Sequence, residues 1–345
     1  MSAHVVTNPR DRIRRYLKDL FELIGTPLPL EWPEVPKQVY VQLRDQLFRQ
    51  IERELSFVDG QSDLNKYQKS YARYFTETTR ALFEMDWNQP YPIHEASEET
   101  IDRLAGRPGA VGPEFDQLYC TPDSTQRRTE VLLQSHDPAH SRVFFLGDDD
   151  LGSVLLAPHF EGEEGEVHVL DIDDRILAHV KARVPSVHCH KIDLVKGLIP
   201  EALAASFDAV LLDPPWDRYE CLMFLDKAIC FLNNNPAARI YLSFCPLQME
   251  LYRNGMAHFF RHLAKRGMTL DSVTPVFNLY SLDEQDTPSF RRELDEALPA
   301  LDAPVFQHMR EVPYAYSNLY VIRRTLESQI PWWREALFRY KHIGG

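Results

Sequence analysis

The sequence is short of cysteine, of long apolar runs and of clustered positive charge. The five cysteines are Cys120, Cys189, Cys221, Cys230 and Cys245, and no two of them form a C-x-x-C pair. That argues against a zinc knuckle, and an odd count without regular spacing reads as free thiols in a reducing compartment. No stretch approaches the roughly 20 apolar residues of a membrane span. Met1–Arg15 has no apolar signal core, so a cytoplasmic location and no membrane partner are expected. Acids outnumber bases, 51 to 38, for a formal net charge of -13. Such a balance disfavours unassisted nucleic-acid binding and favours cationic partners. Internal repeats are absent too.

Hydrophobic residues make up 44% and charged residues 26% of 345 residues, the balance of a globular chain with room for more than one domain. The first part reads as all-α. Apolar residues recur at helical spacing in Asp11–Ile24, Val39–Leu55 and Asn65–Phe83, with Gly25 and a run of prolines after the first helix. Basic and acidic residues interleave on these helices. That favours a packing or homodimer-forming domain over a recognition helix. Asn88–Arg107 reads as loop, and a boundary is expected in Gly106–Pro113, dividing a helical domain (1–110) from a sheet domain (111–345). Asp123 or Ser124 is expected to cap a helix running to about Gln134.

From Arg142 onward strands and helices alternate at short intervals, which predicts βαβ units and a doubly wound, Rossmann-like α/β sheet. The expected strands are Arg142–Leu146, Glu166–Asp171, Val187–Asp193, Phe207–Asp213, Ala238–Phe244 and Met268–Phe277. A final strand, Ser317–Arg323, is expected antiparallel at the edge. Helices are expected at Leu151–Ala157, Asp174–Arg183, Glu220–Asn233 and Leu247–Arg266. Tyr280–Asp302 reads as an acidic lid or solvated excursion.

Three of the strands end in carboxylates, where open α/β sheets place their ligands. The first turn, Gly147-Asp-Asp-Asp150, keeps one glycine and three acids, so a pyrophosphate would be repelled. Asp171, about twenty residues on, fits a ribose-binding acid, while Asp173 fits the helix cap. Asp193, ending the third strand, fits an adenine amino group. In Asp213-Pro-Pro-Trp216 two prolines remove two amide donors and leave carbonyls and a carboxylate as acceptors for an amine. Trp216 offers a flat wall for a base or a cation. Together these predict an adenosyl sulfonium as electrophile and nitrogen as nucleophile. The carboxylate of S-adenosylmethionine would oppose the acidic turn. The decarboxylated form ends in an ammonium arm that the turn would welcome.

Phe145-Leu-Gly-Asp-Asp-Asp-Leu151, Val169-Leu-Asp-Ile-Asp-Asp-Arg175, Lys191-Ile-Asp-Leu194 and Phe207–Pro215 resemble the branched-chain polyamine synthases, the N4-bis(aminopropyl)spermidine synthases. Phe115-Asp-Gln117 and Thr121–Arg128 are similar to that family's lead-in to its catalytic sheet. The resemblance covers roughly Phe115 to Phe244. It implies metal-free transfer of aminopropyl groups from decarboxylated S-adenosylmethionine to a polyamine amine, with release of 5′-methylthioadenosine. It also implies that the acidic tripeptide binds and deprotonates the acceptor, which points to Asp149 as base with Asp148 and Asp150 beside it. On this basis Asp149 and Asp213 are the catalytic candidates. Gly147, Asp148, Asp171, Ile172, Asp193 and Leu194 are placed on the cofactor side, and Asp150, Pro214 and Trp216 on the acceptor side. Archaeal members begin with a winged helix, whereas Met1–Arg107 reads as a different helical arrangement.

Two other readings are kept open. Trp216 after the proline pair is also similar to amino-methyltransferases acting on adenine. An S-adenosylmethionine-dependent N-methyltransferase on nucleic acid or a small amine is therefore the alternative. A noncatalytic sulfonium- or polyamine-binding regulator is the third.

Overall fold

The computed structural model describes residues 8–23, 25, 37–60, 66–84, 95–109, 117–197, 199–215, 218–246, 249, 255–282, 304–309 and 311–325. The chain forms two compact units. One comprises Met1–Glu95, Gly112–Glu114 and Leu279–Tyr316; the other comprises Ala96–Val111, Phe115–Asn278 and Ser317–Gly345.

In the first unit, helices α1 (Pro9–Leu23), α2 (Lys37–Gly60) and α3 (Lys66–Glu84) bury the apolar stripes that their spacing predicts. Asn8 starts α1, accepting from the Arg10 amide on its side chain and from the Asp11 and Arg12 amides on its carbonyl; Pro9 follows at the first helical position, where a missing N–H costs nothing. Phe21, Phe48 and Phe83 meet in the core, with Phe83 5.6 Å from Phe21 and 6.1 Å from Phe48 between ring centroids. A later segment, α10 (Pro304–Met309), joins this unit, with His308 Nε2 3.1 Å from the Tyr16 carbonyl. Sequence periodicity gives no sign of that return. Residues 283–303, most of the expected acidic excursion, lie outside the described residues.

Residues 98–104, expected within a loop, are helix. Ser97 accepts the Thr100 amide at 3.1 Å and caps α4 (Glu98–Leu104). Gln126 then ties α4 to α5 (Pro122–Ser135) through the Ser97 amide and the Thr100 hydroxyl. Thr121 takes the N-cap place of α5, two or three residues before the expected Asp123 or Ser124, since Pro122 is suited to the first helical position.

The sheet has seven strands: β1 (Arg142–Leu146), β2 (Glu166–Asp171), β3 (His188–Lys191), β4 (Ala209–Leu212), β5 (Arg239–Phe244), β6 (Met268–Ser281) and β7 (Tyr314–Arg324). Their spatial order is β3-β2-β1-β4-β5-β7-β6. The β3-β2, β2-β1, β1-β4 and β4-β5 pairs are parallel and β5-β7 is antiparallel. β7 is therefore antiparallel as expected, but β6 rather than β7 takes the edge. Burial explains the insertion: six of the eight residues Tyr314–Val321 are buried, all but Asn318 and Val321, so β7 is covered along most of its length. Helices α6 (Gly152–Leu156), α7 (Asp174–Arg183), α8 (Arg218–Phe231) and α9 (Gly255–Lys265) follow β1, β2, β4 and β5. Phe144, Leu212, Leu225, Phe231, Ile240, Phe244 and Phe259 are among the core residues. Among the described residues no helix is long and apolar enough to cross a membrane.

Candidate active site

The strand order reverses between β1 and β4, which opens a crevice at their carboxyl ends. Leu146 is in register with both Leu170 and Leu212, so Gly147–Asp150, Asp171 and Asp213 emerge side by side. Gly147 has φ +77° and donates to the Leu170 carbonyl at 2.8 Å, turning the chain across β2. Leu151 also lies in the left-handed region, φ 57°, and is fully buried. Such backbone costs on the order of 1–3 kcal/mol and persists where its surroundings over-determine it. A Cβ on Gly152 would come within 2.8 Å of the Phe145 ring, so the helix after the turn packs directly on β1.

The three aspartates of the turn have three different environments. Asp148 is turned inward: it accepts from the Ser153 amide and hydroxyl at the start of α6. Burial, above all else, pushes its pKa up to about 8. Asp150 accepts from the Cys120 amide at 2.6 Å and from Arg128 Nη1 at 2.7 Å. Asp149 has no hydrogen-bond partner among the described residues. Burial raises its pKa well above the usual carboxylate range, and the charges of Asp150, Asp171 and Asp213 raise it further against the pull of Arg107.

Asp171 accepts the Asp173 amide at 2.8 Å and the Asp148 amide at 3.0 Å, bridging the β1 and β2 turns, and burial raises its pKa. Ile172, beside it, is exposed. Asp173 caps α7, accepting from the Arg175 amide at 2.9 Å and from Gln117 Nε2 at 3.2 Å. Asp193 accepts the Val195 and Lys196 amides at 2.9 and 3.2 Å, holding the turn after β3, and Leu194 is buried. Pro214 is buried next to Asp213. Trp216 lies outside the described residues.

Arg128, a residue quoted in the lead-in but given no role by sequence reasoning, holds the acids together. It is 3% exposed, and its guanidinium donates to Asn278 Oδ1 at 2.7 Å, to Asp150, to Cys120 Sγ at 3.0 Å and to Asp213 Oδ2. One ligand atom from each of Cys120, Asp150 and Asp213 lies within 4.8 Å of the others, and the Arg128 guanidinium bonds all three residues. Burial raises the Cys120 thiol pKa, which the nearby guanidinium opposes. Arg107 is a second cation here: it lies 3.9 Å from Asp150 and stacks over Tyr119, its carbon 3.9 Å from the ring centroid. The available signal was a pair of adjacent arginines on the helix preceding an acid-rich sheet. A buried charge needs an opposite one, and so many strand-end acids needed a buried cation.

Five carboxylates, Asp148, Asp149, Asp150, Asp171 and Asp213, thus face two guanidinium groups. The crevice is suited to a cationic ligand, and Asp149, without a hydrogen-bond partner among the described residues, is also of high proton affinity.

The Asp148 shift has a consequence for stability. The folded protein holds this proton to about pH 8, whereas an unfolded Asp releases it near 4. The stability it contributes is therefore full below about pH 4 and is lost as pH rises toward about 8. Asp148→Asn removes that dependence, so the variant should gain stability relative to wild type between about pH 5 and about pH 8. Urea denaturation at both values checks this; a difference independent of pH would show Asp148 ionised throughout.

The sheet order, with a crevice at its switch point, is that of a doubly wound, Rossmann-like α/β fold. More narrowly, residues 98–336 match the model of the branched-chain polyamine synthase A C-terminal domain, and the chain belongs to that family. It is 32% identical over 162 residues to an N(4)-bis(aminopropyl)spermidine synthase of Thermococcus kodakarensis, covering 46% of this chain and 40% of that one. It is 30% identical over 189 residues to the enzyme of that name from Thermus thermophilus, covering 54% and 53%. The matches thus span about half or less of these relatives' length. A solved structure, the Thermus thermophilus branched-chain polyamine synthase in complex with N4-aminopropylspermidine and 5′-methylthioadenosine, superposes with a TM-score of 0.58 at 19% identity. It covers 91% of this chain and 93% of that one, a likeness of fold.

Proposed function

We propose that this protein transfers the aminopropyl group of decarboxylated S-adenosylmethionine to an amine nitrogen of a polyamine, releasing 5′-methylthioadenosine. The observation that carries the reading is Asp149: a carboxylate of raised proton affinity, without a hydrogen-bond partner among the described residues, beside an excess of negative charge. The acceptor binds in the acidic crevice. Its nitrogen lone pair forms a bond to the carbon next to S⁺, the C–S bond breaks, and its electron pair neutralises the sulfur. The N–H proton passes to Asp149 as the C–N bond forms. High proton affinity suits that task, and burial with neighbouring acids supplies it.

Asp171 and Ile172 form the ribose and adenine side. Both Asp171 oxygens already accept an amide, and each retains a lone pair for a ribose hydroxyl. Asp193 sets the far wall through its turn. Asp150 and Asp213, joined by Arg128, border the acceptor and keep it oriented. Asp148 acts through the turn rather than on the ligand, because its oxygens are given to Ser153.

Incubation with each cofactor and a panel of linear polyamines, read by mass spectrometry, tests the proposal. The expected result is aminopropyl addition with decarboxylated S-adenosylmethionine, together with tighter calorimetric binding of that compound than of S-adenosylmethionine. Methyl addition from S-adenosylmethionine, or the reverse order of affinity, would establish the methyltransferase reading instead.

A further inference from the structure

A second cluster of ligating side chains lies on the β2–β3 edge, away from the carboxyl-end crevice. Strand residues two apart share a face, so Glu166 and His168 of β2 point the same way, as do His188 and His190 of β3. Parallel register sets His168 beside His188 and Leu170 beside His190. The His168 and His188 rings stack with centroids 4.5 Å apart, and those of His168 and His190 with centroids 5.3 Å apart. His168 Nε2 is 3.0 Å from Glu166 Oε2, and His168 Nδ1 is 3.1 Å from His190 Nε2. One ligand atom from each of Glu166, His168 and His188 lies within 4.8 Å of the other two.

We propose that Glu166, His168 and His188 bind a divalent metal ion of zinc type, with His190 as the positioning residue behind His168. Two imidazoles and a carboxylate are a recognised donor set for such borderline ions, with water completing four-coordination. Metal-bound histidines ordinarily donate their second ring N–H to a fixed acceptor. His190 Nε2 is placed to accept it from His168 Nδ1, which leaves His168 Nε2 for the metal. His168 is buried against Phe144 and Phe207, while His188 is exposed and gives the ion a way in.

Among the described residues, Arg142 is the cation that faces the cluster. Arg142 Nε donates to Glu166 Oε2 at 2.8 Å, and the same guanidinium donates to the Ser206 carbonyl at 3.1 Å and lies over the Phe207 ring. The carboxylate of Glu166 can serve both through separate lone pairs. The ion's role is structural. β3 is a four-residue edge strand paired to β2, and a metal shared between the two strands would clasp it in place. That strand leads into the Asp193 turn, so the clasp would also hold the far wall of the crevice.

The test uses tag-free, full-length protein treated with a chelator and then dialysed. Calorimetric titration with Zn²⁺ should give one ion per chain and raise the melting temperature. His188→Ala and Glu166→Gln should each weaken Zn²⁺ binding by at least about tenfold, and His190→Ala by about 10–100-fold. His188 is exposed, so His188→Ala should keep the circular dichroism spectrum and melting temperature of the metal-free wild type. Binding of wild-type strength in both His188→Ala and Glu166→Gln would assign the ion elsewhere and overturn the proposal. So would the absence of stoichiometric binding at micromolar Zn²⁺. None of these readouts depends on transferase activity.

Discussion

Asp149→Asn is expected to lower turnover by roughly 10²–10⁴-fold, the usual contribution of a general base, while leaving the fold intact. Asparagine is close in shape to aspartate, and no hydrogen bond of Asp149 among the described residues is lost. The pH profile carries a further signature. A base works only when deprotonated, and burial with three neighbouring acids raises the proton affinity of Asp149. Wild-type kcat/KM should therefore rise with pH along a limb above the ordinary carboxylate value of about 4. That limb belongs to the free enzyme. A bound cationic acceptor favours the ionised carboxylate, so the corresponding limb in kcat should lie at lower pH. Rates near wild type for the variant, or an unchanged acid limb, would remove Asp149 from the role of base.

Arg128→Met is expected to destabilise the protein by about 3–5 kcal/mol, the range for breaking a buried ion pair from one side. The guanidinium is 3% exposed and serves Asp150, Asp213, Cys120 and Asn278 at once. Methionine fills the volume but withdraws the buried guanidinium from two carboxylates. Arg128→Lys keeps the charge without the planar fork, so it should fall between wild type and Arg128→Met. Equilibrium urea unfolding measures both, and a loss below about 1 kcal/mol for Arg128→Met would show that the acids do not depend on this cation. Arg128→Lys also separates structure from chemistry. If it stays folded but its KM for the acceptor rises, Arg128 orients Asp150 and Asp213 toward the ligand.

Much of the sheet was legible because its periodicity is local. The limits expected for β2, Glu166–Asp171, and α7, Asp174–Arg183, are those observed. An apolar run ending in Asp173, which caps the next helix through its side chain, fixes both boundaries within a few residues. The observed ends of β3 and β4 fall one or more residues inside the expected limits. The helix at 98–104 was less legible. Its cap is a lone serine between prolines upstream and a glycine downstream, and its stability depends on Gln126 from another helix.

The sequence by itself determined that three strands end in acids, that they belong to a parallel sheet, and hence that acidic side chains gather at its carboxyl ends. These follow from apolar runs and from where each run stops. Only the tertiary structure decided what each acid does. Asp148, Asp149 and Asp150 are chemically identical and adjacent, so nothing local distinguishes them. They separate because one meets the start of α6, one meets an arginine from α5, and one meets no partner among the described residues. The insertion of β7 between β5 and β6 and the assembly of Glu166, His168, His188 and His190 likewise arise from strands brought together by long-range pairing. Partners so far apart in the chain leave no periodic trace, because register is set by burial of the whole sheet rather than by any one strand.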